Sequence, residues 1–115
     1  MKIIYATDLH GSDAGFRQIL KIAKETGAAA VVNGGDMLPL DGDLHGSQRD
    51  FVEGFLSGHF AECEKTGIAW LGMLGNDDHV IHDAGFDANC RKHKNIFNLA
   101  QRRIEFSGFE FIGMN

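Results

Sequence analysis

Lys2-Ile3-Ile4-Tyr5-Ala6-Thr7-Asp8-Leu9-His10 sets an apolar run directly against two metal-type ligands, and the arrangement recurs twice further along. Gly34-Gly35-Asp36 follows Ala29-Ala30-Val31-Val32, and Gly75-Asn76-Asp77-Asp78 follows Ala69-Trp70-Leu71-Gly72-Met73-Leu74. An apolar run with β-branched or aromatic residues, closed by Gly, Asn or Asp, reads as a buried strand entering a loop. Three such motifs place their polar groups at the carboxyl ends of strands, the edge where open α/β sheets bind ligands. Carboxylate, imidazole and amide oxygen on one rim suit a hard or borderline divalent cation.

The intervening segments supply crossover helices. Lys2 to Thr7 is the first expected strand. Ser12 can cap a helix carrying Phe16, Ile19, Leu20 and Ala23 at helical spacing, closed by Gly27. Ala28 to Val32 is the second strand, followed by a loop from Asn33 to about Gly46. Ser47 is the expected cap of a second helix running through Lys65, with Val52, Phe55, Leu56, Phe60 and Cys63 inward and Gly67 closing it. Ile68 to Leu74 is the third strand. This β-α-β-α-β order is the grammar of a parallel sheet. Beyond Gly75 the pattern weakens: Asp83 to His93 reads as a short helix, and Arg102 to Gly113 as a β-hairpin turning at Ser107-Gly108.

The motifs in this order, Asp-x-His, Gly-Asp and Gly-Asn-x-Asp, resemble the first three motifs of the calcineurin-like metallophosphoesterases. The resemblance spans Asp8 to Asp78. It implies a parallel-sheet βαβαβ half of a metallophosphoesterase-type α/β sandwich, followed by the hairpin. It also implies two divalent metals (Mn, Fe or Zn), with Asp8, His10 and Asp36 as ligands of one, and the bridging Asp36 with Asn76 as ligands of the other. In such a site metal-activated hydroxide hydrolyses a phosphate ester. The family's remaining histidine ligands, including a Gly-His-x-His, do not occur in these 115 residues. The resemblance therefore implies one partial domain over residues 1–115, with one cation or none held by this part alone and weak or no activity. A non-catalytic metal-binding or scaffold version of the fold is the alternative.

The catalytic positions carried over from the family are Asp77 and Asp78, and His79 joins them as a candidate for its place next to the motif. Many members have histidine where Asp77 stands, assigned to protonating the leaving group, followed by an acid that orients it. Aspartate beside metals is a poor proton donor, because the cations hold its pKa down. Phosphodiesters or activated esters are the expected substrates, with His79 the nearest other donor. His82 and His93 are not promoted to ligands, and Asp41, Asp43 and His45 read as a solvated loop.

Bulk properties set bounds on partners. Length fits a single domain, and 43% hydrophobic with 23% charged residues is ordinary for a globular protein. A net charge of −5 argues against general attraction to nucleic acid or anionic membrane. Arg91-Lys92-His93-Lys94 reads as a solvated helix end. Cys63 and Cys90 read as idle thiols of a reducing compartment. With no signal peptide or membrane-length run in view, the cytoplasm is the expected location. An open sheet edge makes self-association the expected consequence.

Overall fold

A computed structural model describes residues 1–40, 44–75, 78 and 82–114, with Leu44 and His45 as backbone only. Four short parallel strands form one sheet in sequential order: β1 (Ile3–Ala6), β2 (Ala30–Asn33), β3 (Ala69–Gly72) and β4 (Ile96–Asn98). Between them run α1 (Asp13–Thr26), a second crossover built from α2 (Leu44–Phe51), a π-helical turn (Val52–Leu56) and α3 (Ser57–Thr66), and then α4 (Asp83–Arg91). The antiparallel hairpin β5 (Arg103–Phe106) and β6 (Phe109–Ile112) follows. The fold is mixed α/β, as the motif order implied.

Sequential parallel order sends every same-handed crossover to one face of the sheet. That face holds the main core. Val31, Trp70 and Ile96 point into Phe16, Leu20, Leu56, Phe60 and Phe86 from the helices. Trp70 is fully buried, with Phe16 stacked on it at 5.6 Å and the ring of His59 edge-on at 4.6 Å. On the other face Ala30, Ala69 and Leu71 meet Ile104, Phe106 and Phe111 of the hairpin. The hairpin does not reach β1, where Tyr5 remains 67% exposed.

Helix ends follow the sequence closely. The Ser12 hydroxyl accepts from the Gly15 N–H at 3.0 Å, and Gly27 and Gly67 close their helices in the left-handed region. Ser47 does not cap the second crossover. That helix begins at Leu44, and Ser47 lies within it. The π-helical turn is a further departure, and a tertiary contact holds it. Asn89 of α4 donates from Nδ2 to the Val52 carbonyl at 2.6 Å and accepts from the Ser57 hydroxyl at 2.8 Å.

Strand β4 occupies a stretch where the sequence carries no clear pattern. Its three residues align with β3 as Trp70–Ile96, Leu71–Phe97 and Gly72–Asn98. The basic segment before it is fastened to α3. Glu64 accepts from the Lys94 N–H at 2.8 Å and pairs with His93 at 3.2 Å. These bonds hold the Glu64 carboxyl below its ordinary range, the Lys94 N–H first and His93 next. Both cysteines are free and buried, and burial pushes each thiol up to about 12. Among the described residues no helix is long and apolar enough to cross a membrane.

Candidate functional site

Strand β3 ends at Gly72, two residues before its apolar run does, and the described motif residues of all three strands lie in loops beyond the strand ends. β1 stops at Ala6, so Asp8 and His10 are not strand neighbours with side chains on one face. They come together by another route. Asp8, His10 and Asp36 all adopt left-handed backbone, with φ of 58°, 45° and 53°. For non-glycine residues each such conformation costs roughly 1–2 kcal/mol. Strain of this kind persists only where surrounding contacts over-determine it, and it collects at functional sites.

Those contacts are a ladder joining the first two loops. Gly34 N–H donates to Ala6 C=O at 2.9 Å, Asp8 N–H to Gly35 C=O at 3.1 Å, His10 N–H to Asp36 C=O at 2.9 Å, and Gly11 N–H to Met37 C=O at 2.7 Å. The pairing of β1 with β2 thus continues past the strands and sets the Asp8–Gly11 and Gly34–Met37 loops side by side. Asp8 Oδ1 lies 3.6 Å from His10 Nε2, and Nδ1 of His10 is buried without a hydrogen-bond partner among the described residues.

The third loop is locked to the second by Asp78. Its Oδ1 accepts from the Leu38 N–H at 2.9 Å, and its Oδ2 from the Met37 and Gly75 N–H groups at 3.2 and 2.8 Å. The residue is only 6% exposed. Burial pushes this carboxyl above its ordinary value, the three N–H groups pull it back, and the charge of Asp36 adds to the rise. Every described bond of the Asp78 side chain goes to backbone that carries the second and third motifs. Asn76, Asp77 and His79 lie outside the described residues, as do Asp41 and Asp43.

Gly75 shows how tightly the two loops meet. A β-carbon there would stand 2.5 Å from Oδ1 of Asp36 and 2.6 Å from its nitrogen. Opposite, a β-carbon on Gly35 would stand 2.9 Å from the Gly75 α-carbon. Replacing Gly75 with Ala is therefore expected to cost about 1–3 kcal/mol, because backbone rather than a flexible side-chain tip must yield. Urea unfolding followed by Trp70 fluorescence measures this, and a loss below about 0.5 kcal/mol, the ordinary range of an uncrowded surface change, would show that the loops are not in contact.

The donor types and the unsatisfied Nδ1 of His10 fit a divalent cation, but the described residues do not assemble a complete site. Among them, no three of His, Cys, Asp and Glu come close enough to hold an ion. A polar network that the sequence did not signal stands one strand further along the rim. Asp87 of α4 accepts from Arg102 at 2.7 Å, Arg91 at 2.8 Å and Asn98 at 3.1 Å. Arg102, Asn98 and Arg91, in that order, hold its carboxyl below the ordinary range. Only Arg91 stands at helical spacing from it, so pattern reading had no route to the other two.

No family model and no curated protein sequence matches the chain. Solved structures do. TT1561 of Thermus thermophilus aligns with a TM-score of 0.68 at 17% identity, over 92% of this chain and 44% of that one. A novel archaeal phosphodiesterase aligns with a TM-score of 0.53 at 18% identity, over 96% of this chain and 56% of that one. The chain thus spans about half the length of each. At such identities the likeness concerns the fold alone.

Proposed function

We propose that the chain is the N-terminal half of a metal-dependent phosphoesterase domain, acting on phosphodiesters or activated phosphate esters. The observation that carries this reading is the interlocking of three strand-end loops on one rim, with Asp8, His10 and Asp36 all held in left-handed backbone. Similarity of fold to a phosphodiesterase supports it. The uncovered face at Tyr5, together with coverage of about half of each similar structure, supports the partial-domain reading.

In this reading Asp8, His10 and Asp36 would hold one divalent cation, and Asp36 with Asn76 would contribute to a second. A bound metal would supply Lewis acidity and a deprotonated water near neutral pH. The chain's own residues do the positioning. The backbone ladder holds the Asp8 and His10 loop against the Asp36 loop, while Asp78 fixes Gly75 and with it the start of the third motif. Asp77 or His79 would handle the leaving-group proton.

Calorimetric titration with Mn²⁺ or Zn²⁺ tests the metal assignment. One site is expected to bind more tightly than any other, because three ligands serve the first metal and two the second. Asp8→Ala is expected to weaken it at least tenfold, which corresponds to about 1.4 kcal/mol. Unchanged affinity in that variant would remove Asp8 from the ligand set and the proposal with it. Hydrolysis of bis(4-nitrophenyl) phosphate with Mn²⁺ then tests activity, and tight binding without turnover would favour the non-catalytic alternative.

A further inference from the structure

Strand β2 ends on a residue that its surroundings do not invite. Asn33 follows Ala30, Val31 and Val32 in an inner strand, paired to Ala6 of β1 on one side and Gly72 of β3 on the other. It is only 1% exposed, and alternation along the strand sets it on the face of Val31, towards the helices. A β-carbon on Gly72 would stand 3.4 Å from the Asn33 β-carbon and 3.0 Å from Nε1 of Trp70, so Asn33 lies beside the buried indole. Burying an amide there costs stability, and Asn33 recovers it only in part. Its Nδ2 has no hydrogen-bond partner among the described residues.

The other end of the amide has a defined role. Oδ1 accepts from the Gly35 N–H at 2.8 Å, in a buried bond that reaches two residues ahead. An N–H needs an acceptor, which fixes which end of the amide faces Gly35. Gly35 has φ of +115°, a conformation open to glycine and closed to most side chains. Its carbonyl accepts from the Asp8 N–H at 3.1 Å, so the residue is held at its nitrogen by β2 and at its oxygen by the first loop. Asp36 comes next, with φ of +53°, and the Met37 N–H after it is held by Asp78 at 3.2 Å. The backbone of Asp36 is thus fixed from both sides, by Asn33 before it and Asp78 behind.

Resting on the metal-ligand reading above, we propose that Asn33 is a positioning residue for Asp36, setting the peptide that aims this carboxylate at the cations. That reading gives Asp36 to both metals, so an error in its direction is felt at both, and ligand geometry tolerates only small errors. An apolar residue in place of Asn33 would pack with Val31 and Trp70 and carry no unpaired Nδ2, but it would leave the Gly35 N–H without its acceptor. Those two effects on stability oppose each other, whereas the effect on Asp36 has a single sign.

Asn33→Leu, which keeps the branched shape, separates positioning from packing. It is expected to weaken Mn²⁺ binding, measured by calorimetry, about tenfold or more while the melting temperature moves by only a few degrees. Asn33→Ser retains an oxygen able to accept from the N–H two residues on, and is expected to hold Mn²⁺ within about threefold of the parent. NMR of the ¹⁵N-labelled chain without metal supplies a second readout. The left-handed backbone of Asp36 brings its own amide and α protons close, and the strong cross-peak between them is expected to fade in Asn33→Leu and persist in Asn33→Ser. Where leucine prevents folding, Asn33→Ala carries the same expectations for metal and cross-peak. Unchanged Mn²⁺ affinity in Asn33→Leu would overturn the proposal, as would an Asp36 cross-peak undiminished in that variant. A parent chain that binds no Mn²⁺ would count against the ligand assignment alone, and the cross-peak would still decide whether Asn33 sets the Asp36 backbone.

Discussion

Asp78→Ala is expected to lower the unfolding free energy by about 3–5 kcal/mol, among the largest effects of any single substitution in this chain. The reason is a count of orphaned donors. Met37, Leu38 and Gly75 each direct an N–H at this carboxylate, and the residue is buried. Truncation leaves three donors without partners, each costing about 1–3 kcal/mol less whatever water can enter and repair. For a domain of this size the melting temperature falls by more than about 12 °C. Asp78→Asn keeps an acceptor oxygen but turns an amide donor towards N–H groups, so an intermediate loss is expected. Urea unfolding followed by the single tryptophan, Trp70, gives both values. If alanine costs less than about 1 kcal/mol, the worth of a single ordinary hydrogen bond, the three bonds do not hold the loops together. Because Asp78 joins the second and third motif loops, the same variant is expected to weaken metal binding without removing any proposed ligand.

Acid is expected to destabilise the chain through His59, by an amount on the order of 3 kcal/mol. The imidazole is buried among Phe16, Phe55, Phe60 and Trp70, and burial depresses its pKa from 6.5 to about 4, against a smaller opposing pull from Glu62. The unfolded chain takes up a proton near pH 6.5, whereas the folded chain resists until about pH 4. Stability from the neutral imidazole is thus fully present above pH 6.5. It is lost progressively as the pH falls towards 4, where the folded form also protonates. His59→Phe retains an aromatic ring in the cluster and removes the proton site. Unfolding free energies measured at about pH 7.5 and about pH 4.5 are expected to differ less for this variant than for the parent. Equal acid losses in the two proteins would assign the effect to other groups.

Strand β4 and the π-helical turn mark the limit of what local pattern specifies. Apolar runs closed by Asp, Gly and Asn made the three strands and their shared rim legible, because burial inside a parallel sheet demands continuous apolar residues. Ser12, Gly27 and Gly67 were equally plain as helix ends. Their roles depend on local backbone geometry and on close neighbours in sequence. Strand β4 was missed because so short a strand carries too little pattern, and pairing with β3 decides its conformation. The π-helical turn escaped for a similar reason: its Val52 carbonyl accepts from Asn89, 37 residues further along the chain.

At the site the division is the same. The sequence by itself determined which side chains stand at the strand ends, and in what order, since those follow from composition and local pattern. Only the tertiary structure decided how Asp8 and His10 meet. They do so on left-handed loop backbone held by the neighbouring Gly34–Met37 segment, and not through the alternation of an extended strand. It also decided that Asp78 commits both oxygens to backbone N–H groups, and that Asp87 gathers Asn98 and Arg102 beside the rim. Those bonds join residues brought together by strand order, and no local periodicity encodes a partner that only the folded sheet delivers.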